Sequence, residues 1–154
     1  MTAQGFHPDL GTAPAPPARI HHVRAGELTA DTAQTPGMRR YEAISGRTVG
    51  SAVLWTGETH VAPATSSGDH HHGEAETSIY VVSGRPEFVF HDGTDEVVVR
   101  TGPGDHVFVP PWLPHREVNP DPDDPAVVVI SRSTQEGIVV AVPSLRPADG
   151  AAPG

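Results

Sequence analysis

Between residues 39 and 142 the chain is cut into short runs rich in Val, Ile, Thr and aromatic residues, each stopped within a few positions by Gly, Pro, Asp or Asn. The runs are 39–44, 52–61, 79–83, 87–91, 96–101, 106–109, 115–118, 127–131 and 138–142. Turn signals such as His91-Asp92-Gly93, Gly102-Pro103-Gly104 and Asn119-Pro120-Asp121-Pro122 fall between them. β-Branched runs this short, broken this often, predict strands and leave little room for helix. Many short antiparallel strands must cover or close their edges, so the expected fold is all-β, a double-sheet barrel or jelly roll. A ligand then belongs in the mouth of the barrel.

At 154 residues the chain is long enough for one domain with a sizeable core, and no internal repeat is visible. Residues 1–18 are rich in Ala, Pro, Gly and Thr and read as a disordered or loosely packed arm; 147–154 read as a flexible tail. The barrel is expected over 19–146. Within it only residues 24–35 hold a helical signal, cut short by Gly26 and Pro36.

Composition removes several chemistries. Cysteine is absent, so disulfides, thiolate metal sites and cysteine nucleophiles are excluded, and any transition metal must be held by nitrogen and oxygen. All ten basic residues are arginine; without lysine there is no Schiff-base chemistry and no Walker-type phosphate loop. The net charge of −9 disfavours nucleic acid and anionic membrane surfaces as partners. No stretch approaches the roughly 20 apolar residues of a membrane helix, and the first residues lack a secretory pattern, so a cytoplasmic protein is expected. No Gly-x-Ser-x-Gly elbow is present for serine hydrolysis.

The chemistry-bearing segment is Asp69-His70-His71-His72-Gly73-Glu74-Ala75-Glu76. In a strand, side chains alternate faces, so His70 and His72 point the same way and seed a metal site, while His71 points opposite. Taken alone, such a cluster is also what a solvated turn could hold. A third imidazole comes from Pro110-Pro111-Trp112-Leu113-Pro114-His115, followed by Asn119. Asp69 and Asp105 read as turn residues, and the acidic stretch 121–124 as a solvated loop.

Together these segments resemble the two motifs of the cupin family, small β-barrels in which the motifs flank a metal site. The first is a His-any-His, a glutamate and a hairpin glycine, here His70, His72, Glu76 and Gly84; the second is Gly104, Asp105, Pro110, His115 and Asn119. The resemblance spans about residues 62–119. It implies a metal held by His70, His72, His115 and Glu76, with zinc or iron foremost and nickel, manganese or copper also suited to imidazole and carboxylate. The chain departs from the family twice. The family glutamate usually stands seven positions before the hairpin glycine, where this chain has Thr77, with Glu76 one position earlier. Either a β-bulge between Glu76 and Tyr80 turns the carboxylate inward, or Glu76 points away and the metal has three histidines only. An inward Glu76 without a bulge would bring Ser78, Tyr80 and Val82 inside; an inward Thr77 would bring Ile79 and Val81. Second, Trp112 stands where the family usually has glycine, and its ring should narrow or shape the mouth.

His60 and His106 lie on strands beside the expected site and are the candidates for proton transfer, if alternation turns them inward. Tyr80, Phe90 and Trp112 are the candidates for a substrate pocket; Trp55 and Phe88 fit a core as well. Because one barrel hosts many chemistries, three functions compete. The first is a metal-dependent enzyme acting on a small organic molecule, its metal a Lewis acid at a carbonyl or enolate oxygen, in its most specific form a polyketide cyclase or isomerase. For that form, Gln34-Thr35-Pro36-Gly37-Met38-Arg39-Arg40 and Ile79-Tyr80-Val81-Val82-Ser83-Gly84 are similar to small bacterial cupins that include such cyclases. The second is an Fe(II)-dependent dioxygenase. The third is a non-catalytic small-molecule-binding barrel. The resemblance also makes a homodimer an expectation.

Overall fold

The computed structural model describes residues 19–146; the expected arm and tail lie outside them. Among the described residues eleven strands form two antiparallel sheets, and helix is confined to a 3₁₀ turn at Ala25–Glu27 and a four-residue α1, Gly46–Val49. The first sheet has the order β1 (Met38–Ile44), β2 (Trp55–Val61), β10 (Ala126–Arg132), β5 (Thr77–Ser83) and β8 (His106–Val109). The second has the order β11 (Val140–Ala141), β4 (His70–His71), β9 (His115–Asn119), β6 (Glu87–His91) and β7 (Glu96–Arg100), with β3 (Thr65–Ser66) also on β9. Apart from the pairs β1–β2 and β6–β7, neighbours in space are distant in sequence, as in a jelly roll. None of the described helices is long and apolar enough to cross a membrane.

The core lies between the sheets. Trp55, Ile79, Val81, Val109, Val128 and Ile130 of the first sheet meet Phe88 of the second. The alternation that makes this core is plain on β5, where Thr77, Ile79 and Val81 are buried while Ser78, Tyr80 and Val82 are exposed. Gly84 ends the strand with φ +81°, and a Cβ there would lie 2.7 Å from the Ala126 backbone, so the hairpin requires glycine.

The expected strands at 39–44, 87–91 and 106–109 stand within a residue of the observed ones. The run at 52–61 starts later, at Trp55, because the preceding residues leave α1: Ser45 caps that helix and Gly50 closes it in the left-handed region. The run at 138–142 pairs only at Val140–Ala141. The helical signal at 24–35 is realised as the single 3₁₀ turn at Ala25–Glu27.

Candidate metal centre

Two very short pairings build the site. β4 carries His70 into register directly opposite His115 on β9, and the chain then turns at Gly73 (φ +57°) just after His72. His70, His72 and His115 come together with one ring nitrogen from each lying within 4.8 Å of the others. The ring centroids are 4.5–4.9 Å apart, none stacked flat on another. His115 and His70 are almost fully buried, at 3% and 6% exposure.

The backbone sets the tautomer of each ring. Nδ1 of His70 lies 3.0 Å from the Gly68 carbonyl, that of His72 2.8 Å from Ile138, and that of His115 2.9 Å from Leu113. A carbonyl only accepts, so each Nδ1 carries the proton and each Nε2 keeps its lone pair. Burial and, less strongly, the neighbouring imidazoles together push His72 and His115 down to about 4 against the pull of these carbonyl contacts. At neutral pH these two rings are therefore neutral donors of a lone pair. The Nε2 of His115 is buried with no hydrogen-bond partner, an arrangement that costs free energy unless something is bound to it. Backbone-oriented imidazoles with converging free nitrogens are the donor set a divalent transition metal needs, so the residues fit such an ion.

His71 behaves oppositely, as expected from alternation. Its Nδ1 accepts from the Gly73 N–H at 3.0 Å, and its ring lies 5.7 Å from that of Trp112.

Glu76 is not brought into the group. Its side chain is exposed, its N–H donates to Ser133 Oγ at 3.0 Å, and its carbonyl accepts from the Ser133 N–H. The ladder from Thr77 opposite Arg132 to Val81 opposite Val128 runs without a break, and the irregularity in this pair falls later, beside Val82. No bulge therefore turns the carboxylate, and Thr77 occupies the inward position. The same register removes Tyr80 from the pocket: it is 39% exposed on the outer face, its ring 4.8 Å from that of His106. His106 shares that face, and so does His60, which meets Tyr41 and Glu58 there. Both candidate proton-transfer histidines lie on the outside of the barrel because their inward neighbours are Val107 on β8 and Thr59 and Val61 on β2. Phe90 lies directly across from His115 and so on the same face, half-buried. Trp112 sits at the rim, 58% exposed.

A small cavity, open to solvent on one side, lies beside the histidines. His72, Thr77, Arg40, Glu117, Arg132 and Ile138 are among its lining. Three of these charged residues were not singled out from sequence. Glu117 follows His115 by two positions on β9, which is a signal of a shared face; for Arg40 and Arg132 nothing in their runs distinguishes the inward face from the outward one.

Residues 57–131 match a family model described as a cupin domain. Among solved structures, the chain is similar to the polyketide cyclase RemF from Streptomyces resistomycificus, at 25% identity and a TM-score of 0.66 over 80% of this chain and 86% of that one. It is also similar in fold to Peruvianin-I from Thevetia peruviana (18% identity, TM-score 0.62, 77% of this chain and 75% of that one). A third likeness is Bacillus subtilis oxalate decarboxylase OxdC (22%, TM-score 0.61), where 71% of this chain covers 29% of that longer one. None of the curated proteins compared matches the chain.

Proposed function

Because the chain carries a cupin domain and folds as a small cupin barrel, we propose that it is a metal-dependent enzyme acting on a small organic molecule, with cyclisation or isomerisation of a polyketide-type substrate as its reaction. The observation that carries this reading is the set of three imidazoles whose Nδ1 groups are tied to the carbonyls of Gly68, Ile138 and Leu113. The similarity to RemF supports the reaction class.

His70, His72 and His115 would hold a divalent ion that, when bound, would supply a Lewis acid for a carbonyl or enolate oxygen, stronger without a carboxylate among its donors. The chain's own residues do the rest. The three carbonyls hold the rings in one orientation and one tautomer, so the donors need no rearrangement when a substrate arrives. Phe90 presents an apolar face beside His115, and Trp112 restricts the rim. His60 and His106 take no part, since both face away from the barrel interior.

The test is the metal content of protein purified without added metal, followed by dioxygen uptake in the presence of candidate substrates. Stoichiometric zinc without uptake is expected. Iron with substrate-dependent uptake would replace this reading with a dioxygenase, and a metal-free protein whose stability is indifferent to loss of the histidines would replace it with a binding barrel.

A further inference from the structure

Two arginines, one on the edge strand β1 and one on the central strand β10, line the cavity beside His72, and neither has a carboxylate within ion-pair distance among the described residues. Arg40 on β1 spends Nη1 on the Ala33 carbonyl (3.3 Å) and Thr35 Oγ1 (2.9 Å). Arg132 on β10 spends Nε on the Thr134 carbonyl and Nη2 on that of Gln135, each 3.1 Å, with its guanidinium carbon 3.9 Å from the Trp55 ring centroid. Each guanidinium has five N–H donors, so both keep donors uncommitted. The nearby carboxylates do not neutralise them: Glu42 is engaged by Arg47, and Glu117, facing the same cavity, is one negative charge against two positive ones.

Burial lowers both arginines from their usual range: Arg40 with Glu117 opposing the shift, and Arg132 to about 10 with Arg40 as a lesser cause and Glu42 opposing. Half-buried cations without a partner are costly, and a fork of N–H donors matches an oxyanion. The placement adds a second argument. Thr77, at the position where the family resemblance calls for a carboxylate, is directly opposite Arg132 in the sheet. At that side of the cavity a neutral threonine thus faces a guanidinium, with no carboxylate between them.

We propose that Arg40 and Arg132 form an anion subsite beside the histidine group, which takes a carboxylate or comparable oxyanion of the substrate. The inference deepens the enzyme reading by naming its substrate class, and its test stands apart from the metal.

The full chain, as purified and after chelation, is titrated calorimetrically with benzoate and with its uncharged counterpart benzamide. Benzoate is expected to bind at least tenfold more tightly than benzamide in both preparations. Arg40→Gln is expected to lower benzoate affinity at least tenfold and leave benzamide unchanged, Arg40→Lys to retain part of the preference, and the surface control Arg24→Gln to change nothing. Arg132→Gln is expected to lower benzoate affinity as Arg40→Gln does; thermal melting of each variant reports folding, and Arg40→Gln decides the matter should Arg132→Gln fail to fold. Equal binding of the two probes, a preference that disappears on chelation, or full benzoate affinity in a folded Arg40→Gln would overturn the proposal.

Discussion

At His115 burial takes the ring out of water while the Leu113 carbonyl holds its Nδ1 proton, so the only free position on the ring is the unpartnered Nε2. The same burial has a consequence for stability. His72 and His115 are lowered to about 4 from 6.5 in the folded chain, whereas in the unfolded chain they titrate normally. Between those values the unfolded chain binds more protons, so the stability of metal-free protein is complete above pH 6.5 and is lost progressively as the pH falls toward 4. Urea unfolding of chelated protein at pH 7, 5.5 and 4.5 should show midpoints dropping in that order; a flat series would contradict the burial argument. Trp112 carries a different kind of cost. Its φ of +64° places a bulky residue in the left-handed region, at about 1–2 kcal/mol. Glycine removes that cost, so Trp112→Gly should change stability by no more than about 1 kcal/mol despite loss of a large ring, and should leave metal content intact. Loss of about 3 kcal/mol, as for a buried aromatic, would show that the rim packing outweighs the backbone.

The elements that matter most to the site are those with the least sequence signal. β3 and β4 are two residues each, too short to show alternation, yet β4 places His70 against His115. The longer strands were legible because their β-branched runs are bounded by breakers, and the pairing of His70 with His72 was legible because they are two positions apart. Which face a run buries was not legible: β2 and β8 read equally well with His60 and His106 inward, and only packing of Thr59, Val61, Val107 and Val109 decides. Register settled Glu76 in the same way, since a one-residue slip of β5 would have exchanged Thr77, Ile79 and Val81 for Glu76, Ser78, Tyr80 and Val82. Asn119 shows what the second motif's last residue does. Its Nδ2 lies 2.9–3.3 Å from the carbonyls of Val61, Ala62 and Asp124, and its Oδ1 accepts from the Asp121 N–H, pinning β9 to β2 and to the loop before β10. Asn119→Ala leaves buried carbonyls without a donor and should cost about 3 kcal/mol in denaturant unfolding while the histidine group keeps its metal; a change below about 1 kcal/mol would mean that water replaces the amide.

For the whole molecule, an ion held by His70, His72 and His115 would tie together segments that are far apart in the chain. β11, β4 and β9 are neighbours in the second sheet through short pairings, Val140–Ala141 on His70–His71 and His70 on His115, so an ion bound to the folded chain alone would add to them and stabilise the barrel by mass action. Chelation should therefore lower the melting temperature, and replacing any one of His70, His72 or His115 with alanine should remove most of that difference. The barrel, its two motifs and the three imidazoles were visible in the residues because each depends on short-range pattern. The cavity's arginines were not, because Arg40 and Arg132 lie 92 positions apart and meet only after the first sheet has formed. The proposed metal centre is three histidines without Glu76. Elemental analysis of the purified wild type beside Glu76→Ala and His115→Ala tests it most directly. One divalent transition-metal ion per chain is expected in the wild type and in Glu76→Ala, with little or none in His115→Ala; loss of metal from Glu76→Ala, or its full retention by His115→Ala, would contradict the account.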